Sequence, residues 1–105
     1  MKQELARLRV LAVRVGAGDR TAATELLCRL EPRVLRIVRR VLRRGSGNSL
    51  LAVRISREAQ QVAATCGPDQ DQVVSMVTRN ICAALIDQLR AAPDCWPILR
   101  DTILG

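Results

Sequence analysis

Aliphatic residues recur every three to four positions along four stretches of this chain, and nowhere is there the alternation and turn chemistry of a β-hairpin. That spacing commits the chain to helices. Lys2–Val15 carries Leu5, Leu8, Leu11 or Ala12, and Val15 at helical spacing and stops at Gly16-Ala17-Gly18. Asp19 then has the character of an N-cap, because its carboxylate can accept bonds from the free amides of a first turn. Arg20–Arg44 reads as one long helix bent at Pro32, whose ring removes an amide donor. It ends on Arg43-Arg44-Gly45, with cations at the negative end of the helix dipole and then a glycine suited to a left-handed cap. Gly45–Ser49 is the most obvious hinge loop. Leu50–Cys66 is a third helical stretch of weaker pattern, closed by Gly67-Pro68. Asp69, with Gln72 three residues on, resembles a capping box and opens a fourth helix to about Ala92. There Val74, Val77, Ile81, Ala84 or Leu85, and Gln88 or Leu89 recur every three to four residues as a continuous apolar face, and Pro93 ends it. The tail, residues 93–105, has room for one short helix, with Trp96 and Ile98 folding back on the rest. The expected fold is all-α: a compact bundle of about four helices forming a single domain over residues 1–105.

Composition decides what fills that bundle. Apolar residues make up 49% of the chain, enough to offset chain entropy and so to exclude disorder. Aromatics make up 1%, a single Trp with no Tyr and no Phe, so the core must be Leu, Val, Ile and Ala. Such a core packs helices well and offers a poor stacking platform for bases.

Several functions are disfavoured on the same grounds. The apolar side of Leu5–Val15 is interrupted by Arg7, Arg9 and Arg14, unlike a signal-peptide core, and no run approaches the ~18 apolar residues that span a bilayer. A cytoplasmic protein that does not engage a membrane is expected. Cys28, Cys66, Cys82 and Cys95 are far apart with no C-x-x-C pair, and the chain has no His. Buried free thiols fit this spacing better than a metal site. With no His, no Tyr, no phosphate-binding glycine loop and no G-x-S-x-G elbow, neither catalysis nor a cofactor is expected. Asp69 and Asp71, beside a helix start, read as cap and dipole partner.

Charge is the positive signal. Seventeen Lys and Arg against ten Asp and Glu leave a formal +7, and Lys2 is the only lysine. Guanidinium groups pair bidentately with phosphates and carboxylates, so the bias fits nucleic acid or an acidic protein partner. On the second helix, Arg29, Arg33, Arg36, Arg40, Arg43 and Arg44 fall within roughly a third of the circumference at about 100° per residue. Leu26, Leu27, Leu30, Val34, Ile37, Val38 and Val41 make the face toward a core. A structural helix usually intersperses acids at i,i+4, and here only Glu25 and Glu31 are near. Either the stripe meets anions, or it is a solvated face partly neutralised by acids from neighbouring helices.

The run Gly18-Asp19, Glu25-Leu26, Pro32-Arg33 and the basic-apolar segment through Arg40 resembles the opening of region 2 in extracytoplasmic-function sigma factors. Val77-Thr78-Arg79-Asn80-Ile81, followed by Asp87 and Arg90, is similar to that family's second signature. Together the two matches cover about half the chain, in the family's order. The resemblance implies a compact helical domain that binds RNA polymerase core and promoter DNA at the −10 element. It places Arg79 and Asn80 nearest the DNA, with Arg90 further along the same helix. It places the polymerase contact in Ser56–Gln61, where Glu58 falls in register with the family's acidic motif and Gln61 is a displaced glutamine. An anti-sigma protein joins the acidic partners that the charge already allows. No stretch remains for region 4, the helix-turn-helix that reads the −35 element. The alternative is a helical protein-interaction module that keeps the sigma-like fold and binds no promoter.

Overall fold

The computed structural model describes residues 2–44, 50–67 and 69–104. The hinge expected at 45–49 lies outside them. Five α-helices follow one another: α1 (Lys2–Gly16), α2 (Arg20–Arg44), α3 (Leu50–Cys66), α4 (Gln70–Ala91) and α5 (Trp96–Leu104), with a 3-10 turn at Pro93–Cys95 before the last. There is no strand among the described residues, and the protein is all-α. None of its described helices is long and apolar enough to cross a membrane.

The junction between α1 and α2 shows how local sequence sets these bounds. Gly18 has φ +94°, its amide donates to the Val15 carbonyl, and the Asp19 amide donates to the Arg14 carbonyl at 3.0 Å. This paired closure leaves few carbonyls of α1 unsatisfied. Asp19 Oδ1 then accepts from the Ala22 amide at 3.0 Å, while Oδ2 accepts from Arg14 at 2.7 Å. One aspartate thus ends α1, caps α2 and ties the two together. Those amide and guanidinium donors, the Ala22 amide foremost, hold the Asp19 carboxyl below its ordinary value. Gly67, at φ +87°, closes α3 with its amide on the Ala63 carbonyl, and Asp69 caps α4 through the amides of Asp71 and Gln72.

Packing divides the chain into two compact units, Met1–Leu30 with Cys82–Gly105, and Glu31–Ile81. α2 and α4 each contribute to both. The first unit buries Leu8, Leu11 and Val15 of α1, Leu26 and Leu30 of α2, Leu85 and Leu89 of α4, and Trp96, Leu99 and Ile103. Ile98 does not fold back as expected: it is 69% exposed, because α5 begins in a phase that puts Trp96, Leu99 and Ile103 on its inner face. In the same unit Gly16 meets Pro93, where a Cβ on the glycine would lie 2.6 Å from the proline Cβ. The second unit buries Val34, Val38 and Val41 of α2, Leu51, Ile55 and Val62 of α3, and Val73, Val77 and Ile81 of α4. Thr78 is buried among them with its hydroxyl donating to the Val74 carbonyl at 2.8 Å. Cys82 alone of the described cysteine side chains is a buried thiol; Cys28 is exposed on α2 and Cys95 is half-buried, which corrects the expectation of four buried cysteines.

Candidate nucleic-acid interface

α2 is amphipathic along its whole length because its apolar residues sit at i, i+4, i+8 and i+11 from Leu30: Leu30, Val34, Val38 and Val41 are all buried. The arginines between them are therefore turned outward. Arg29, Arg36, Arg40, Arg43 and Arg44 are exposed and Arg33 is half-buried. The sequence leaves open whether such a stripe is neutralised, and the structure splits it. In the first unit, Glu25 accepts both Nε and Nη2 of Arg7 at 2.9 Å and Nε of Arg29 at 3.2 Å. The Arg7 fork, more than Arg29, holds the Glu25 carboxyl below its ordinary value, and Glu25 in turn raises the Arg7 pKa. Arg29 is thus a member of a surface ion cluster and not a cation awaiting an anion.

In the second unit no described carboxylate pairs with Arg36, Arg40, Arg43 or Arg44. Arg39 belongs with them. It is exposed, equally without a carboxylate partner, and falls outside the one-third sector only because it lies about 100° from Arg40. The doublets Arg39-Arg40 and Arg43-Arg44, one turn apart, were the signal for it. Arg54 and Arg57 of α3 are exposed too. The segment Glu31–Ile81 holds nine arginines against four acids, whereas the rest of the chain holds eight cations against six. Most of the net positive charge therefore resides in the second unit.

The residues assigned by the family resemblance are placed differently. Arg79 is exposed on α4 with no described carboxylate partner. Asn80, also exposed, points its amide at Glu58 of α3, with Nδ2 3.5 Å from Oε2. Two positions 22 residues apart, expected to meet DNA and polymerase separately, thus face each other. Arg90 pairs with Asp87 at 3.6 Å across one turn of α4, and Gln61 is exposed. An open groove of about 580 Å³ also lies within the second unit, lined by Val41 and Leu42 of α2, Ser56, Ala59, Gln60 and Ala63 of α3, and Gln70 and Val73 of α4. Sequence periodicity gave no sign of it. It includes part of the Ser56–Gln61 stretch, but neither Glu58 nor Gln61 is among its lining residues. No described group of three His, Cys, Asp or Glu side chains is arranged to hold a metal ion.

Comparison with known protein families, curated proteins and solved structures found no match.

Proposed function

We propose that the chain acts in transcription, in the cytoplasm, as a sigma region 2-like domain that holds promoter −10 DNA through arginine–phosphate contacts and meets RNA polymerase core through α3. The observation that carries this reading is the group Arg36, Arg39, Arg40, Arg43 and Arg44, five exposed cations within nine residues and without a described carboxylate partner. Like charges at i,i+4 destabilise a helix by a few tenths of a kcal/mol each, roughly, so the cluster costs the fold and gains only when an anion arrives. A nucleic-acid backbone supplies a row of anions and releases its condensed counterions on binding. The role requires no bond-making chemistry: the domain positions, and its partners act. Arg79 extends the set of cations that the second unit offers to phosphate; Arg90, in the first unit, becomes available where an anion displaces Asp87.

A second reading is favoured by the Glu58–Asn80 contact. A residue assigned to polymerase and one assigned to base reading engage each other. On this reading the fold is an interaction module for an acidic protein, an anti-sigma protein being one of that class, and binds no promoter.

Binding of the purified chain to core RNA polymerase, at near-physiological salt without DNA, separates the two. Saturable binding that Glu58→Ala or Gln61→Ala weakens supports the sigma-like role. A folded sample that does not bind overturns the polymerase half of the proposal and leaves the interaction module. Binding to −10-containing DNA should weaken by about 10²–10³-fold between ~50 and ~200 mM salt if about five phosphates are neutralised.

A further inference from the structure

On the reading that α2 meets nucleic acid, we infer that it takes the double-stranded form and grips phosphates of both strands, without capturing unpaired bases. Arg39-Arg40 and Arg43-Arg44 are two consecutive pairs one helical turn apart. Consecutive residues of an α-helix lie about 100° apart around the axis. Arg39 and Arg43 therefore form one ridge, and Arg36, Arg40 and Arg44 a second. All five are exposed, and none has a described carboxylate partner to draw it aside. Extended guanidinium groups on two ridges so disposed stand on the order of 12 Å apart, comparable with the ~12 Å width of the major groove and the phosphate rows that border it.

A single strand presents one row of phosphates, which satisfies one ridge and leaves the other charged and unpaired. It also carries half the axial charge density of a duplex, about one phosphate per 3.4 Å against one per 1.7 Å.

Capture of an unpaired base calls for a different surface, an aromatic platform or an amide free to read an edge. The chain's one aromatic residue, Trp96, is buried in the first unit, and the Asn80 amide is directed at Glu58. An anionic membrane would match the charge, but a helix lying in a lipid surface must also offer an apolar face. On this stretch of α2 that face, Val34, Val38 and Val41, is buried in the second unit.

The experiment measures binding of the full 105-residue chain by fluorescence anisotropy at ~100 mM salt. The probes are a ~20-base-pair duplex, one of its strands alone, the same duplex with a central unpaired bubble, and vesicles of anionic lipid. The duplex should bind at least ~10-fold tighter than the strand, the bubble no tighter than the intact duplex, and the vesicles should not bind. Arg39→Gln with Arg43→Gln removes one ridge with little cost to helix propensity, which circular dichroism checks. That variant should lose about two from the duplex salt slope and bring duplex and strand affinities close together, since a strand needs only the remaining ridge. Strand binding as tight as the duplex, or bubble binding tighter than it, overturns the inference and leaves the nucleic-acid reading standing. A folded chain that binds neither duplex nor strand overturns both, and vesicle binding in place of nucleic acid reassigns the face to lipid.

Discussion

Two glycines at the end of α1 are required for different reasons, and substitution separates them. Gly16 has no room for a side chain, since an added Cβ would fall 2.6 Å from Cβ of Pro93, whose ring cannot swing aside. Gly16→Ala should therefore cost about 1–3 kcal/mol by overpacking. Gly18 has open space around it but a φ of +94°, so Gly18→Ala should cost about 1–2 kcal/mol through backbone strain. Urea unfolding distinguishes them in combination with Pro93→Gly, which removes that Cβ: relieving the contact should rescue the Gly16 variant and leave the effect of the Gly18 variant unchanged. A second residue-scale prediction concerns acid. The Glu25 carboxyl is depressed in the folded protein, first by the hydrogen bonds from Arg7. A carboxyl with a lowered folded pKa contributes stability at all pH above its unfolded value, and loses it as pH falls through the folded one. The stability gap between the parent and Glu25→Gln should thus be constant through neutral pH and close as pH falls below the ordinary glutamate value of 4.5. Urea midpoints across a pH series would show it; a gap that widens in acid would contradict the assignment. Of these contacts, only the Asp19 cap was legible in the sequence, because a cap acts on amides two and three residues away. Arg7 meets Glu25 across 18 positions, and Gly16 meets Pro93 across most of the chain, so neither leaves a local pattern.

At the scale of elements, α2 runs unbroken from Arg20 to Arg44 through Pro32, which is exposed. Its cost is a missing amide and a crowded carbonyl one turn earlier. Pro32→Ala should accordingly stabilise the protein, by as much as about 3 kcal/mol, and raise the melting temperature. Leu30, two residues before it on the opposite, buried side of the helix, should cost about 2–5 kcal/mol as Leu30→Ala. An opposite sign for either would mean that α2 does not pack in the register described. The limits of α2 and α3 agree with those read from sequence because their signals are written within one turn: Asp19 before α2, Gly67 after α3. α5 was less legible. A helix that starts out of a 3-10 turn has no phase fixed by what precedes it, and the exposure of Ile98 in place of Leu99 follows from that. The candidate interface divides in the same way. Periodicity placed the arginines outward, but only the fold shows that Glu25 neutralises Arg29 and that Glu58 faces Asn80.

For the whole molecule, the question is whether binding responds to total charge or to where the charge sits. The chain carries a formal +7, and its acids are unevenly deployed. Asp19 and Glu25 of the first unit hold Arg14, Arg7 and Arg29, whereas the arginines that end α2 in the second unit have no such partner among the described residues. A purely colloidal attraction to polyanions would depend on the sum alone and would weaken equally on loss of any two cations. A local interface would not. Arg9 and Arg20 are exposed cations of the first unit, also without described carboxylate partners, so Arg9→Gln with Arg20→Gln matches Arg40→Gln with Arg43→Gln in charge removed. Titrating duplex DNA against both variants over a range of salt should give a parent-like slope for the first and a slope reduced by about two for the second, with affinity down by about 10-fold or more at ~100 mM salt. Equal losses would sink the assignment of α2 as the interface. They would show instead that the excess arginine acts through the summed field of the protein, in which case polymerase or another acidic protein, read through the groove between α2 and α3, becomes the partner to pursue.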